Sequence, residues 1–267
     1  MLTHYQNQSC PEAVELLRRD AVTYSVLIQI LQTPCTDIYT GRERVIVCYS
    51  CPPFPVWVWC AHPENARDIR EIAGCLKEAF PMEAGFTYNL SHVLLDRLRE
   101  ADPCFRDTSV KMELLSYRLD RIAPLDRPCD GAPSRPREEE VAYLAEIWHD
   151  LAYEMEGRVL TPDQCVRIVG RKLDTGTLFL WRSPAGKIAA LTARNDEPPY
   201  SKVGAVYTLP EYRRRGYALH LVHRVTEGIL AEGLTPILYT NADYPASNAC
   251  YQKIGYRPVG SLCTVGK

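Results

Sequence analysis

The stretch that most limits what this chain can fold into is Val203–Ala218, VGAVYTLPEYRRRGYA. Val203, Ala205 and Tyr207 alternate with Gly204, Val206 and Thr208, the period of two of a half-buried strand. Pro210 ends that strand, because proline brings no N–H to a ladder. Arg213, Arg214, Arg215 and Gly216 follow. After them Ala218, Leu221, Val222, Val225 and Ile229 share one face of a helix. A strand, a tight basic loop and a helix start suit an anion. The first N–H groups of a helix lack internal partners, and the macrodipole adds partial positive charge there. Gly216 permits a positive φ or a close backbone approach. An ordinary strand–helix turn with a solvated basic cluster would use the same residues, and the stretch alone does not separate the two.

The rest of the chain narrows the anion. Its 267 residues leave room for one large domain or two ordinary ones, and 46% hydrophobic content is ample for packed cores. A net charge of −2 argues against nucleic acid as a partner, so the basic loop is a local feature suited to a small anion. Met1–Cys10 lacks the apolar run of a secretory leader, and no window approaches eighteen apolar residues. The expectation is a cytoplasmic protein with no membrane partner. Eleven cysteines without a repeating framework read as reduced thiols.

In the first half, Cys10–Gln32 reads as one helix capped by Ser9 and stopped by Pro34. Arg44–Tyr49 and Val56–Cys60 read as buried strands, Asn65–Phe80 as an amphipathic helix, and Gly85–Leu90 as a strand. Ser91–Arg99 reads as a helix capped by Ser91, and Val110–Ile122 as a strand. No catalytic constellation stands out. Cys48, Cys51, Cys60 and His62 can be arranged as a metal set, but Cys48 and Cys60 sit in apolar strands, where cysteine is a small hydrophobe. No metal is expected. Pro124–Arg137, rich in proline and charge, reads as a linker. It divides an N-terminal α/β domain, residues 1–125, from a second domain, residues 126–267.

In the second half, Glu138–Met155 and Thr161–Leu173 read as helices, the latter with Thr161 as cap, Pro162 in its first turn and Gln164 three residues after the cap. Thr177–Arg182 and Lys187–Arg194 read as a hairpin, Asn195–Tyr200 as a loop, and Thr235–Asn241 as a strand. Ala246–Ile254 reads as a short helix stopped by Gly255, and Tyr256–Val265 as a last strand. Gly131–Arg135 is a candidate strand ahead of the first of these helices.

In this order of elements, Arg213-x-x-Gly216-x-Ala218 and Tyr251-Gln-Lys-Ile-Gly255-Tyr256 resemble the two signatures of the GNAT superfamily of acyl-CoA-dependent N-acetyltransferases. The resemblance covers residues 130–267. The first half resembles the degenerate GNAT-like domain that precedes a complete one in some bacterial proteins. The implied fold is α/β (α+β), a mixed, mostly antiparallel sheet flanked by helices. The implied donor is acetyl-CoA, and the implied partner a small-molecule or peptide amine. The resemblance implies pantetheine pairing along Val206, Tyr207 and Thr208, where a strand amide would stabilise an oxyanion. It implies pyrophosphate binding by Arg213, Arg214, Arg215, Gly216, Tyr217 and Ala218. Asn248 would hydrogen-bond the cofactor, and Tyr251 would protonate the departing thiolate. Where the family often has an asparagine seven residues before that tyrosine, this chain has Tyr244, with Asn241 and Asp243 nearby. The candidate base is Glu197. Asp196, Tyr207 and His149 are weaker choices, and His220 and His223 read as solvated. A non-catalytic acyl-CoA-binding module, or a transferase using another acyl-CoA, has the same signatures.

Overall fold

A computed structural model describes residues 2–33, 37–41 and 43–267. Pro34, the expected helix stop, lies outside the described residues. The chain forms two compact units. The first takes in residues up to Ser116 together with Thr240–Tyr244 and Pro258–Lys267; the second holds Tyr117–Tyr239 and Pro245–Arg257. Both are mixed α/β assemblies.

The strands of the first unit are β1 (Thr3–Gln6), β2 (Asp37–Gly41), β3 (Val45–Tyr49), β4 (Val56–Cys60), β5 (Tyr88–Leu90), β6 (Ser109–Arg118) and β12 (Arg257–Gly266), in the order β1-β2-β3-β4-β5-β12-β6. Strands β1 to β4 run antiparallel in turn, and β4 pairs with β5 in parallel. The apolar runs of β3 and β4 follow from cover on both faces. Val45, Val47, Val56 and Val58 pack with α3 (Ala66–Ala79) and α4 (His92–Ala101). Ile46, Cys48, Trp57 and Trp59 point the other way, to α1 (Pro11–Leu16) and α2 (Ser25–Gln32).

The single helix expected over Cys10–Gln32 is two helices with a 3-10 turn, Arg18–Asp20, between them. Tertiary bonds and β-branched residues account for the break. Asp20 accepts from the Trp59 indole at 3.2 Å, Thr23 meets Ser116 at 3.1 Å, and Val22 and Thr23 carry low helix propensity. Cys10 rather than Ser9 is the N-cap, and its side chain makes no capping bond. The edge strand β1 and its neighbour β2 lack the alternating apolar pattern that would have marked them.

The second unit orders its strands β11 (Thr235–Asn241), β10 (Tyr200–Thr208), β9 (Ile188–Glu197), β8 (Leu178–Arg182) and β7 (Ala132–Ser134). β10 pairs with β11 in parallel, and β7 to β10 run antiparallel in turn. Helices α5 (Val141–Glu156) and α6 (Pro162–Asp174) cover one face through Leu144, Trp148, Leu151, Cys165 and Val169. The Thr161–Gln164 capping box starts α6. Helix α7 (Tyr217–Ala231) packs on β8, β9 and β10, with Leu221, Val222, Val225 and Ile229 buried. Helix α8 (Pro245–Ile254) follows β11. The loop expected over Asn195–Tyr200 is instead a hairpin: β9 runs to Glu197 and β10 starts at Tyr200, leaving Pro198 and Pro199 as the turn, since neither can donate to a ladder.

Two features of β10 position the site. Its parallel register with β11 runs from Tyr200↔Thr235 to Val203↔Leu238. Its antiparallel register with β9 slips between Gly204 and Tyr207, a β-bulge in which Ala205 takes φ +50°. The Thr192 hydroxyl donates to the Gly204 carbonyl at 3.0 Å and holds the bulge from β9.

Candidate functional site

Beyond the bulge, Val206, Tyr207 and Thr208 line a cavity of about 670 Å³. The loop after β10 and the N-terminus of α7 form its second wall. Leu209 is buried and anchors a 3-10 turn, Pro210–Tyr212. Arg214 then takes φ +64° and Gly216 φ +87°, so the backbone curls before the helix begins. A Cβ at Gly216 would meet only ordinary contacts, the nearest being His220 at 3.8 Å. Of the two roles open to this glycine, the structure uses positive φ, which costs an L-residue about 1–2 kcal/mol. Gly216 is also the N-cap, and it offers no side chain to the first N–H groups of α7. Those of Tyr217, Ala218 and Leu219 belong to residues lining the cavity.

The three arginines are not equivalent. The Arg213 guanidinium bonds Glu154 at 2.6 Å and the Thr208 carbonyl at 3.1 Å. Glu154 also accepts from the Tyr207 hydroxyl at 2.8 Å. Burial alone would raise the Glu154 carboxyl, but the bonds from Tyr207 and Arg213 outweigh it and hold the pKa below the usual value. Burial, with Glu154 beside it, pushes Tyr207 up to about 12. Arg214 lines the cavity, whereas Arg215 lies outside the lining and reaches over the Tyr212 ring at 5.7 Å.

The third wall is α8. Ala246, Ala249, Cys250 and Lys253 line the cavity at helical spacing, with Ser247 and Tyr251 beside them. Tyr251 is 6% exposed and is braced by the rings of Tyr117 and Tyr256 at 6.4 and 6.2 Å. Burial raises its phenol pKa further, so it stays protonated at neutral pH. Burial also pushes the Cys250 thiol up to about 11. Gly255 ends the helix at φ +112°, and a Cβ there would fall 2.6 Å from the Arg121 carbonyl. Tyr256 is buried, and its hydroxyl meets Thr226 of α7 at 2.9 Å, which ties α8 to α7.

Other expected residues lie elsewhere. Asn248 is outside the lining and meets the Tyr117 hydroxyl at 3.5 Å. Asn241 belongs to the first unit and accepts from the Asp243 N–H at 2.9 Å in a local turn. Glu197 lines neither this cavity nor the one described next. Burial raises its carboxyl and Lys202 pulls it partly back. Asp196 accepts from the Ser201 hydroxyl at 2.6 Å, and His149 faces Asp150 at 3.4 Å. His220 and His223 are not merely solvated. The first lies against Trp181, with ring centres 5.8 Å apart, and the second bonds the Ala123 carbonyl at 3.0 Å. No group of three or more His, Cys, Asp or Glu gathers among the described residues as a metal set would require.

A second cavity, about 250 Å³, is lined by the other part of β10, Lys202–Ala205, with Ala193 and Asn195 of β9, Tyr239 of β11, Trp148 of α5 and Lys172 of α6. The two cavities share one strand, and their linings change over at the bulge. Lys253, Lys172 and Lys202 were not singled out in the sequence. Lys253 was findable, because it shares the 246–249/250–253 face of α8.

Solved structures with the same arrangement run along nearly the whole chain. A GCN5-related N-acetyltransferase from Sphaerobacter thermophilus aligns over 99% of this chain and 94% of its own, with TM-score 0.72 and 11% identity. A GNAT-family acetyltransferase from Colwellia psychrerythraea aligns over 98% of both chains, with TM-score 0.62 and 13% identity. The chain has the GNAT acetyltransferase fold. A Drosophila protein shares it over 99% of this chain and 97% of its own, with TM-score 0.66 and 16% identity. Residues 180–264 match the family model described as FR47-like protein, a segment that opens in β8 of the GNAT fold and ends in β12. No curated protein matches the chain by sequence. The mixed, mainly antiparallel architecture expected from the two GNAT signatures is present, and the likeness takes in both units. Among the described residues no helix is long and apolar enough to cross a membrane.

Proposed function

We propose that the chain is an acyl-CoA-dependent N-acyltransferase that moves an acetyl group from acetyl-CoA to an amine. One observation carries the reading: the strand segment that lies beyond the β11 register and the uncapped N-terminus of α7 open on the same cavity. Its volume is within the usual range for cofactor sites. The curled backbone at Arg214–Gly216 suits a phosphate, since successive main-chain N–H groups make an anion-binding concavity.

When bound, acetyl-CoA supplies an acyl thioester already activated toward an amine. The chain's own residues then divide the remaining work. Main-chain N–H groups of Gly216, Tyr217 and Ala218 hold the pyrophosphate, and Arg214 adds charge. Arg213 holds the loop against Glu154 rather than the ligand. The main chain of Val206–Thr208 pairs with the amide-bearing arm as an added strand would. Tyr251 keeps a proton on its hydroxyl at neutral pH and gives it to the departing sulfur. The amine enters from the smaller cavity, on the other side of the bulge.

The test is thiol release from acetyl-CoA in the presence of an amine panel, alongside calorimetry with CoA. Release above background is expected, with Tyr251→Phe lowering kcat at least about tenfold while CoA affinity stays within about twofold. CoA binding without release for any amine would leave a binding module in place of an enzyme.

A further inference from the structure

We infer that the acceptor is a small amine bearing a carboxylate, an amino acid or a close analogue, bound with its anionic group between Lys172 and Lys202. The inference rests on the donor and acceptor sides assigned above. It starts from an imbalance of charge in the smaller cavity. Lys172 comes from α6 and Lys202 from β10, so two separate elements each contribute an ammonium group to one 250 Å³ space. Neither makes an ion pair within 4 Å among the described residues. Lys172 donates to Asn195 Oδ1 at 3.2 Å and lies 5.7 Å from the Trp148 ring.

The carboxylates nearby do not fill the gap. Asp196 is occupied by Ser201, and Glu197 acts on Lys202 without a hydrogen bond and lies outside the lining. Burial lowers the pKa of both lysines. Lys172 is lowered further by Lys202 and Arg171, while Glu197 opposes the shift at Lys202. Two like charges held half-buried and facing one space are relieved by an anion between them. The volume suits a molecule of amino-acid size. Trp148 and Tyr239 supply aromatic surface for its side chain.

The same field serves the reaction. A positive environment favours the neutral form of an incoming amine, which is its nucleophilic form. It also repels polyamines, whose remaining charges would have to enter beside two ammonium groups.

Calorimetry on the full chain saturated with CoA tests this with matched pairs. Glycine, L-alanine and L-phenylalanine are each compared with methylamine, ethylamine and phenethylamine, and O-phosphoethanolamine with ethanolamine. At least one amino acid is expected to bind about tenfold or more tightly than its decarboxylated partner. Lys172→Met and Lys202→Met should each cut that preference at least about threefold, with melting curves showing that the variants fold. The wild-type pairs decide the matter if they do not fold. Equal binding within every pair, or preference for the plain amines, overturns the inference. A preference confined to O-phosphoethanolamine overturns the carboxylate. Carboxylate-selective binding with no thiol release would remove the transferase reading and leave this pocket assignment standing.

Discussion

β4 and β10 are each followed by a loop, a long helix and a strand that returns to pair in parallel, yet the two helices begin differently. After β4, α3 starts at Asn65, whose side chain accepts from the N–H groups of both Arg67 and Asp68. Asp68 adds a carboxylate in the first turn, and Glu64 precedes the cap. After β10, α7 starts at Gly216, which has no side chain to offer, and arginines precede it. The strands differ in the same sense. β4 pairs with β3 in unbroken register from Trp57 to Cys60, whereas β10 carries a bulge. A helix start that satisfies its own donors has none left for a ligand. The shared plan supplies a scaffold, and leaving one cap unfilled leaves the first donors of α7 open to a ligand.

The strongest challenge to this comparison is Gly216→Asp, which gives α7 an acidic cap like that of α3. CoA affinity measured by calorimetry should fall at least about 100-fold, because the carboxylate takes the donors and repels the pyrophosphate. Unchanged affinity would remove the loop from the site. The mirror change, Asn65→Ala, should cost about 1 kcal/mol in urea denaturation and leave CoA binding alone. A loss of CoA affinity there would mean that the first unit takes part in binding.

The smallest effect concerns the Glu154 tie that fixes Arg213. Its folded pKa is depressed, so its contribution to stability is present above the unfolded value of about 4.3 and is lost as pH falls through the lower folded value. Glu154→Gln should therefore lower the melting temperature slightly at pH 7, and the gap should close as pH falls below about 4.3 and on through the folded value. A gap that persists in acid would show that shape rather than charge holds Arg213.

Local chemistry was legible in the sequence. The caps Ser91 and Thr161 act where their spacing placed them, Asn65 caps the helix it was read as opening, and Gly216 and Gly255 both have the positive φ that a glycine at a helix end suggests. Features that depend on distant partners were not. The bulge falls on Ala205, a residue with no turn signature, although Gly204 stands beside it. Glu154 meets Arg213 across 59 positions of sequence, which no motif encodes. Asn248 sits on α8 as expected, but Tyr117 comes from a strand far upstream and takes its side chain out of the lining. Lys172 and Lys202 acquire meaning only when α6 and β10 enclose the same space.

The bulge at Ala205 and the helix start at Gly216 lie on one unbroken segment of chain, braced by Leu209 and by the Arg213–Glu154 tie. On the proposed function, that segment works as a ruler. A ligand gripped by its anion at one end is measured against a fixed mark at the other, so the reach of its flexible arm decides whether its tip arrives at the opening to the lysine-lined cavity.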